Sequence, residues 1–194
     1  MARPRVREKL LDAAYGLLQQ NGVTAMTTRH IAHCAGTTEA SVFNNFGDKT
    51  GLLYALIRER LPEVREVKFA IKAELDDDIV AWLQSVYMAA KSFYIAIIPL
   101  TASLWGRKNF NDGAMAEHYS LHAMLLPRFL ELQQSGTLSS KTDAGVLATI
   151  FLGSALHNSF HFLAQGDGAV NGQSQQESKQ VVLSILPLFT EGVA

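Results

Sequence analysis

Thr27-Thr28-Arg29-His30-Ile31-Ala32-His33-Cys34-Ala35-Gly36-Thr37-Thr38-Glu39-Ala40-Ser41-Val42-Phe43-Asn44-Asn45-Phe46-Gly47-Asp48-Lys49 packs several helix starts and stops into one short stretch. Thr27 suits an N-cap, because its hydroxyl can accept one of the orphan N–H groups of a first turn. The helix it opens carries Ile31, Ala32, Cys34 and Ala35 inward and ends at Gly36. Thr38 caps a second short helix through about Asn45, and Gly47-Asp48 stops that one and caps a longer helix beginning at Lys49. Two short helices joined by so tight a turn make a helix-turn-helix, whose second member can lie in the DNA major groove. Ala32, Ala35 and Gly36 are small enough for the close crossing, while Ile31, Val42 and Phe46 supply the apolar contacts that fix its angle. The same spacing also suits an αα-corner in a helical enzyme or carrier, or in a protein-binding adaptor.

Upstream, residues 3–20 put Leu10, Leu11, Ala14, Leu17 and Leu18 on one helical stripe, and Asn21-Gly22 stops it. Downstream, helical spacing runs from Leu52 to Ala73, with Pro62 expected to bend or divide the segment because it has no N–H to donate. Asp76-Asp77-Asp78 opens a helix expected to run to Pro99, acidic where the macrodipole is positive. A short element near 101–108, a helix from about 112 to 134 ended by Ser135-Gly136, and helices over 142–165 and 175–190 complete the chain. The pattern predicts an all-α protein of about nine helices.

The 194 residues are 48% hydrophobic and 18% charged, which is too apolar for a disordered chain and leaves surface to meet a second copy. A net charge of −1 excludes a uniformly basic nucleic-acid binder. The first 49 residues are mildly basic, with Arg3, Arg5, Arg7, Lys9, Arg29 and Lys49 set against Glu8, Asp12, Glu39 and Asp48. The lone cysteine, Cys34, excludes an intrachain disulfide. With no apolar leader after Met1 and no long uninterrupted apolar run, a cytoplasmic protein with no membrane partner is expected.

Read in order, Gly22, Thr27, Ile31-Ala32, Ala35-Gly36, the Phe43-to-Phe46 run and the helix-opening Lys49 resemble the DNA-binding signature of the TetR family. Like that signature, they follow directly on one N-terminal helix. The resemblance implies a three-helix helix-turn-helix domain in residues 1–50 that binds double-stranded operator DNA. It also implies a helical ligand-binding and dimerisation domain in residues 51–194, a homodimer, and repression relieved by a small-molecule effector. By motif position, Thr27, Thr28, Thr38, Asn45 and Lys49 are expected at phosphate oxygens, and Arg29, Glu39, Ala40 and Asn44 at base edges. Thr37 lies on the same surface. Phe43 stands where the family usually has Tyr, so a phosphate-binding hydroxyl is missing, and Asn44-Asn45 replace a more usual aromatic or histidine pair. Arg3, Arg5 and Arg7 can add a minor-groove or phosphate contact, as basic arms do.

Beyond residue 50 no nucleophile elbow, Walker loop, dinucleotide fingerprint or cysteine pair occurs, so neither an enzyme nor a cofactor is implied. Tyr87, Phe93, Tyr94, Trp105, Phe110, Met115, His118, Tyr119, His122, Phe151, Asn158 and Phe162 mix apolar and polar groups as an effector pocket requires. The pairs His118/His122 and His157/His161 share helical faces and can in principle grip a metal, but no further ligand is implied and none is assigned. Gly145, Ala148, Gly153, Ser154 and Ala155 allow close helix approach beside apolar neighbours. The resemblance implies that the last two helices of each protomer form a four-helix interface, with Leu147, Phe151, Leu152, Ala155, Leu183, Leu186 and Phe189 as the expected dimer contacts, although the same helices could simply close a monomeric bundle.

Overall fold

Positive backbone φ at Gly22 (71°), Gly36 (63°), Gly47 (79°) and Gly136 (79°) marks the ends of four helical segments, at the stops the sequence supplies. The structure, a computed structural model, describes residues 3–75, 78–105, 114–165 and 172–189, and these are helical apart from turns. In chain order the α-helices are α1 (Arg3–Asn21), α2 (Thr28–Cys34), α3 (Glu39–Phe46), α4 (Lys49–Arg60), α5 (Pro62–Lys72), α6 (Ile79–Thr101), α7 (Ala114–Gln134), α8 (Ala144–Gln165) and α9 (Gly172–Phe189). The caps follow the expected chemistry. Thr27 accepts from the His30 N–H, Asp48 Oδ1 from that of Gly51, and Asp78 Oδ1 from those of Val80 and Ala81.

Pro62 divides the predicted 52–73 segment: Leu61 is extended (φ −73°, ψ 118°), and the proline opens α5, where its missing N–H costs nothing. Pro99 does not end α6, which continues to Thr101. Of the short element expected near 101–108, residues 101–105 are described, with Ala102–Leu104 forming one 3₁₀ turn.

The chain divides into two compact units, Met1–Pro62 with Pro99–Glu117 and Glu63–Ile98 with His118–Ala194. In the first unit, Leu10, Leu11, Ala14 and Leu17 of α1, Met26, Ile31 and Ala32 of the next turn and helix, Val42 of α3, and Leu52, Leu53 and Leu56 of α4 are buried. Cys34, expected to face inward, is instead exposed, because a helix this short buries only the stripe through Ile31 and Ala32. Around this core lies an ionic clamp between α1 and α4. Arg7 forks onto Glu59 with two 2.7 Å bonds and stacks over the Phe46 ring 5.3 Å from its centroid. Arg60 donates to Glu8 and Asp12. A planar guanidinium meeting a carboxylate in two parallel bonds is the strongest form such a pair takes. Arg7 is therefore committed inside the domain and not part of a free basic arm; the side chain of Arg3 lies outside the described residues.

In the second unit, rings on α6, α7 and α8 meet edge to face in series. Trp82 packs on Phe129 (6.2 Å, 67°), Phe129 on Phe151 (6.1 Å, 75°) and Phe151 on Tyr87 (6.1 Å, 77°). By length and composition α6 and α8 are apolar enough to cross a bilayer, but α6 buries Trp82, Leu83, Val86, Tyr87, Phe93 and Tyr94 as a core helix does.

Gly51 carries a constraint that the sequence does not announce. A Cβ there would sit 2.0 Å from the Phe46 carbonyl oxygen, so the α3–α4 junction closes only over hydrogen. Gly51→Ala is expected to destabilise the N-terminal unit by about 1–3 kcal/mol, as overpacking typically does. Gly16→Ala, in α1 with nothing near the added methyl, is expected to gain about 0.5–1 kcal/mol. Urea titrations followed by circular dichroism measure both; equal effects would contradict the packing account.

The clamp also sets a pH dependence. Bonds from Arg7 hold the Glu59 carboxyl down at about 2, against the opposing effect of burial. In the unfolded chain Glu59 titrates at about 4.3, so the pair's stabilisation is complete above that pH and is lost as pH falls toward 2. The stability difference between the native chain and Glu59→Gln should therefore shrink between pH 6 and pH 3; a constant difference would show that the pair contributes nothing through its charge.

Candidate nucleic-acid interface

Burying Val42 against the first unit's core turns the opposite side of α3 outward. Ala40, Phe43 and Asn44 are exposed there, as are Thr38 at the N-cap and Lys49 at the start of α4. Phe43 is 49% exposed, a large apolar ring on this outward side. Arg29 on α2 is also exposed, while Thr37 is half-buried.

Several expected contacts are already engaged within the domain. The Thr28 hydroxyl donates to Glu39 Oε1 at 2.5 Å, linking the first residue of α2 to the first residue of α3. A hydroxyl has one proton, so while this bond is made Thr28 Oγ1 donates to Glu39 and not to an outside acceptor. Thr27 Oγ1 is the acceptor in its cap, 3.1 Å from the His30 N–H. Thr37 and Thr38 hydroxyls share Ser41 Oγ at 2.9 and 3.2 Å, so Thr38 occupies the N-cap position without capping through its side chain. Asn45 turns its amide back onto the Ser41 carbonyl at 2.7 Å, leaving one amide N–H for any outside acceptor. What α3 and the start of α4 present outward is thus Ala40, Phe43 and Asn44, the half-buried Glu39 carboxylate held by Thr28, and Lys49.

The residues expected to line an effector pocket separate into groups. Tyr87, Phe93, Tyr94 and Phe151 are fully buried, and burial pushes the Tyr87 phenol up to about 12 and the Tyr94 phenol up as well. Tyr87 accepts from Asn158 Nδ2 at 2.6 Å and faces Glu177 Oε1 at 3.5 Å, and Glu177 takes a 2.7 Å bond from Lys91. The Lys91 ammonium lies 5.7 Å from the Phe162 ring centroid. The second unit therefore joins buried Tyr87 and Lys91 to half-buried Asn158 and Glu177 beside its aromatic interior, and Lys91 and Glu177 were not anticipated from sequence. His122 bonds the Gly145 carbonyl and the Thr149 hydroxyl, both at 3.2 Å. Trp105 belongs to the other unit and is exposed. Phe110 and the side chains of Met115, His118, Tyr119 and Phe189 lie outside the described residues. No cluster of three metal-ligating side chains occurs among the described residues.

The α8 face differs from expectation. Leu147, Phe151, Leu152 and Ala155 are buried within this chain and have no surface left for a second one. The outward stripe is Val146 (49% exposed), Ile150 (38%), Gly153, His157 and Phe160 (41%), one residue away in register. On α9, Leu183 is exposed and Leu186 half-buried.

Residues 10–56 match the family described as bacterial regulatory proteins, tetR family. The HTH-type transcriptional regulator YvkB of Bacillus subtilis (strain 168) is 44% identical over 52 residues, 27% of this chain and 28% of its own length. The HTH-type transcriptional regulator BetI of Stenotrophomonas maltophilia (strain R551-3) is 36% identical over 75 residues, 39% and 38% of the two chains. The alignments thus span less than half of these relatives. Among solved structures, Salmonella enterica GusR superposes with a TM-score of 0.70 at 16% identity, covering 93% of this chain and 95% of that one. The fatty acid degradation regulator FadR of Bacillus halodurans superposes with a TM-score of 0.71 at 14% identity, covering 92% and 94%. At such identities the superpositions establish a shared fold.

Proposed function

We propose that this chain, whose residues 10–56 match the tetR-family model, is a TetR-type, ligand-responsive transcriptional repressor binding a pseudopalindromic operator as a homodimer. The observation that carries this reading is the braced, outward face of α3, with Ala40, Phe43 and Asn44 exposed, as is Lys49. Arg29 and Asn44 are suited to base edges, the one favouring guanine and the other able to pair with adenine. Lys49, aided by the positive end of α4, binds a phosphate and sets register. Residues 1–50 bind DNA, and residues 51–194 bind the effector and the partner chain. The protein acts in the cytoplasm, as a binding protein and not an enzyme.

An aromatic interior with a few polar groups beside it, here Tyr87, Asn158, Lys91 and Glu177, has the chemistry a small-molecule site needs. The effector acts by binding the DNA-incompetent state more tightly, shifting α4 and with it the separation of about 34–36 Å that successive major grooves demand. The apolar outward stripe of α8, Val146, Ile150 and Phe160, with Leu183 on α9, supports pairing of two copies through these helices.

Salt titrations on operator and random duplex test the DNA face. Lys49→Ala should weaken binding to all sequences alike and lower the salt slope by about one, whereas Asn44→Ala should relax preference at a single base pair. Equal loss of discrimination in both would refute the division of roles. Sedimentation tests the dimer: the native chain should be dimeric at micromolar concentration and Ile150→Glu should be monomeric. A monomeric native chain, or an unchanged variant, would overturn the pairing face.

A further inference from the structure

Thr28 and Glu39 open the two helices of the helix-turn-helix, and the 2.5 Å bond between Thr28 Oγ1 and Glu39 Oε1 ties one start to the other. Glu39 is half-buried in the first turn of α3, where a carboxylate is favoured by the helix macrodipole. Its holder is a neutral hydroxyl, which brings no positive charge to offset the carboxylate on the surface that is to meet DNA. Such a charge is repelled by phosphates and by every acceptor on the base edges. It is tolerated only where a base offers a donor.

We propose that Thr28 positions Glu39 to read the exocyclic amino group of cytosine at one base pair of each half-site; this rests on the DNA-binding reading above. Two bases carry a major-groove amino group. Adenine sets the N7 acceptor beside its N6 donor, which suits an amide such as Asn or Gln and opposes a carboxylate. Cytosine presents N4–H₂ with no adjacent acceptor, which suits a group that can only accept. Glu39 Oε1 is engaged by Thr28, leaving Oε2 as the oxygen available for N4. The hydroxyl stops the side chain swinging away from the phosphates, so selection against guanine and thymine at that position is built into the domain before it binds. Thr28 is then a positioning residue and Glu39 the group that touches the base.

Selection of bound duplexes from a random pool by the purified full chain and four variants tests this. The native chain should enrich cytosine at one position of each half-site, and Glu39→Ala should lower that preference about tenfold. Thr28→Val should lower preference at the same position while Thr28→Ser retains it. Glu39→Gln, which adds a donor, should move the preference toward adenine, an outcome that a merely structural role does not produce. The proposal is overturned if Thr28→Val weakens all sequences evenly with the cytosine preference intact, or if Glu39→Ala and Glu39→Gln leave the base at every position unchanged. Failure of the native chain to enrich any sequence would instead remove the DNA-binding reading on which the proposal stands.

Discussion

Arg7 holds together what the rest of the N-terminal unit depends on. Its guanidinium forks onto Glu59 of α4 and lies over Phe46 at the end of α3, so one side chain fixes three helices at once. A helix of eight residues is marginal in water by itself, and α3 persists because its Val42 side is buried and its end is pinned. The opposite side is left exposed as a consequence. A surface reader needs this combination, since contact groups that move by an ångström or more lose their geometry. Gly51 serves the same end by letting α4 start directly beneath the Phe46 carbonyl.

The second unit obeys a different constraint. Its edge-to-face rings fill the interior, yet buried Lys91 and Tyr87 join half-buried Glu177 and Asn158 in a connected polar chain beside them. A group as costly to bury as an ammonium persists only with an ion-pair partner, and here that partner comes from α9. The integrity of the α6–α9 packing is thereby coupled to one charged pair.

The helix boundaries were legible because glycine, proline and cap residues act locally. Asn21-Gly22, Gly36, Gly47 and Pro62 each stop, turn or divide the chain where their backbone chemistry requires. Long-range partners were not legible: Arg7 and Glu59 are 52 residues apart, and no spacing rule joins them. Nor was the outward face of α8. With Val146 beside Leu147 and Ile150 beside Phe151, that helix is apolar nearly all round, so periodicity could not decide which stripe enters the core. Nor was the bond from the Thr28 hydroxyl to Glu39, eleven residues on, which joins the first residues of α2 and α3. Such commitments depend on how two helices cross, which sequence spacing alone does not give.

The central claim is that the outward face of α3 is the surface that meets duplex DNA. Amide chemical-shift mapping of the full chain, titrated at low salt with a short random-sequence duplex, tests it directly, because sequence-independent phosphate binding uses the same surface. The account predicts that shifts concentrate over Thr38–Asn44 and at Lys49, leaving the α8 stripe from Val146 to Phe160 unmoved. Shifts confined to other helices, or none at low salt, would contradict it.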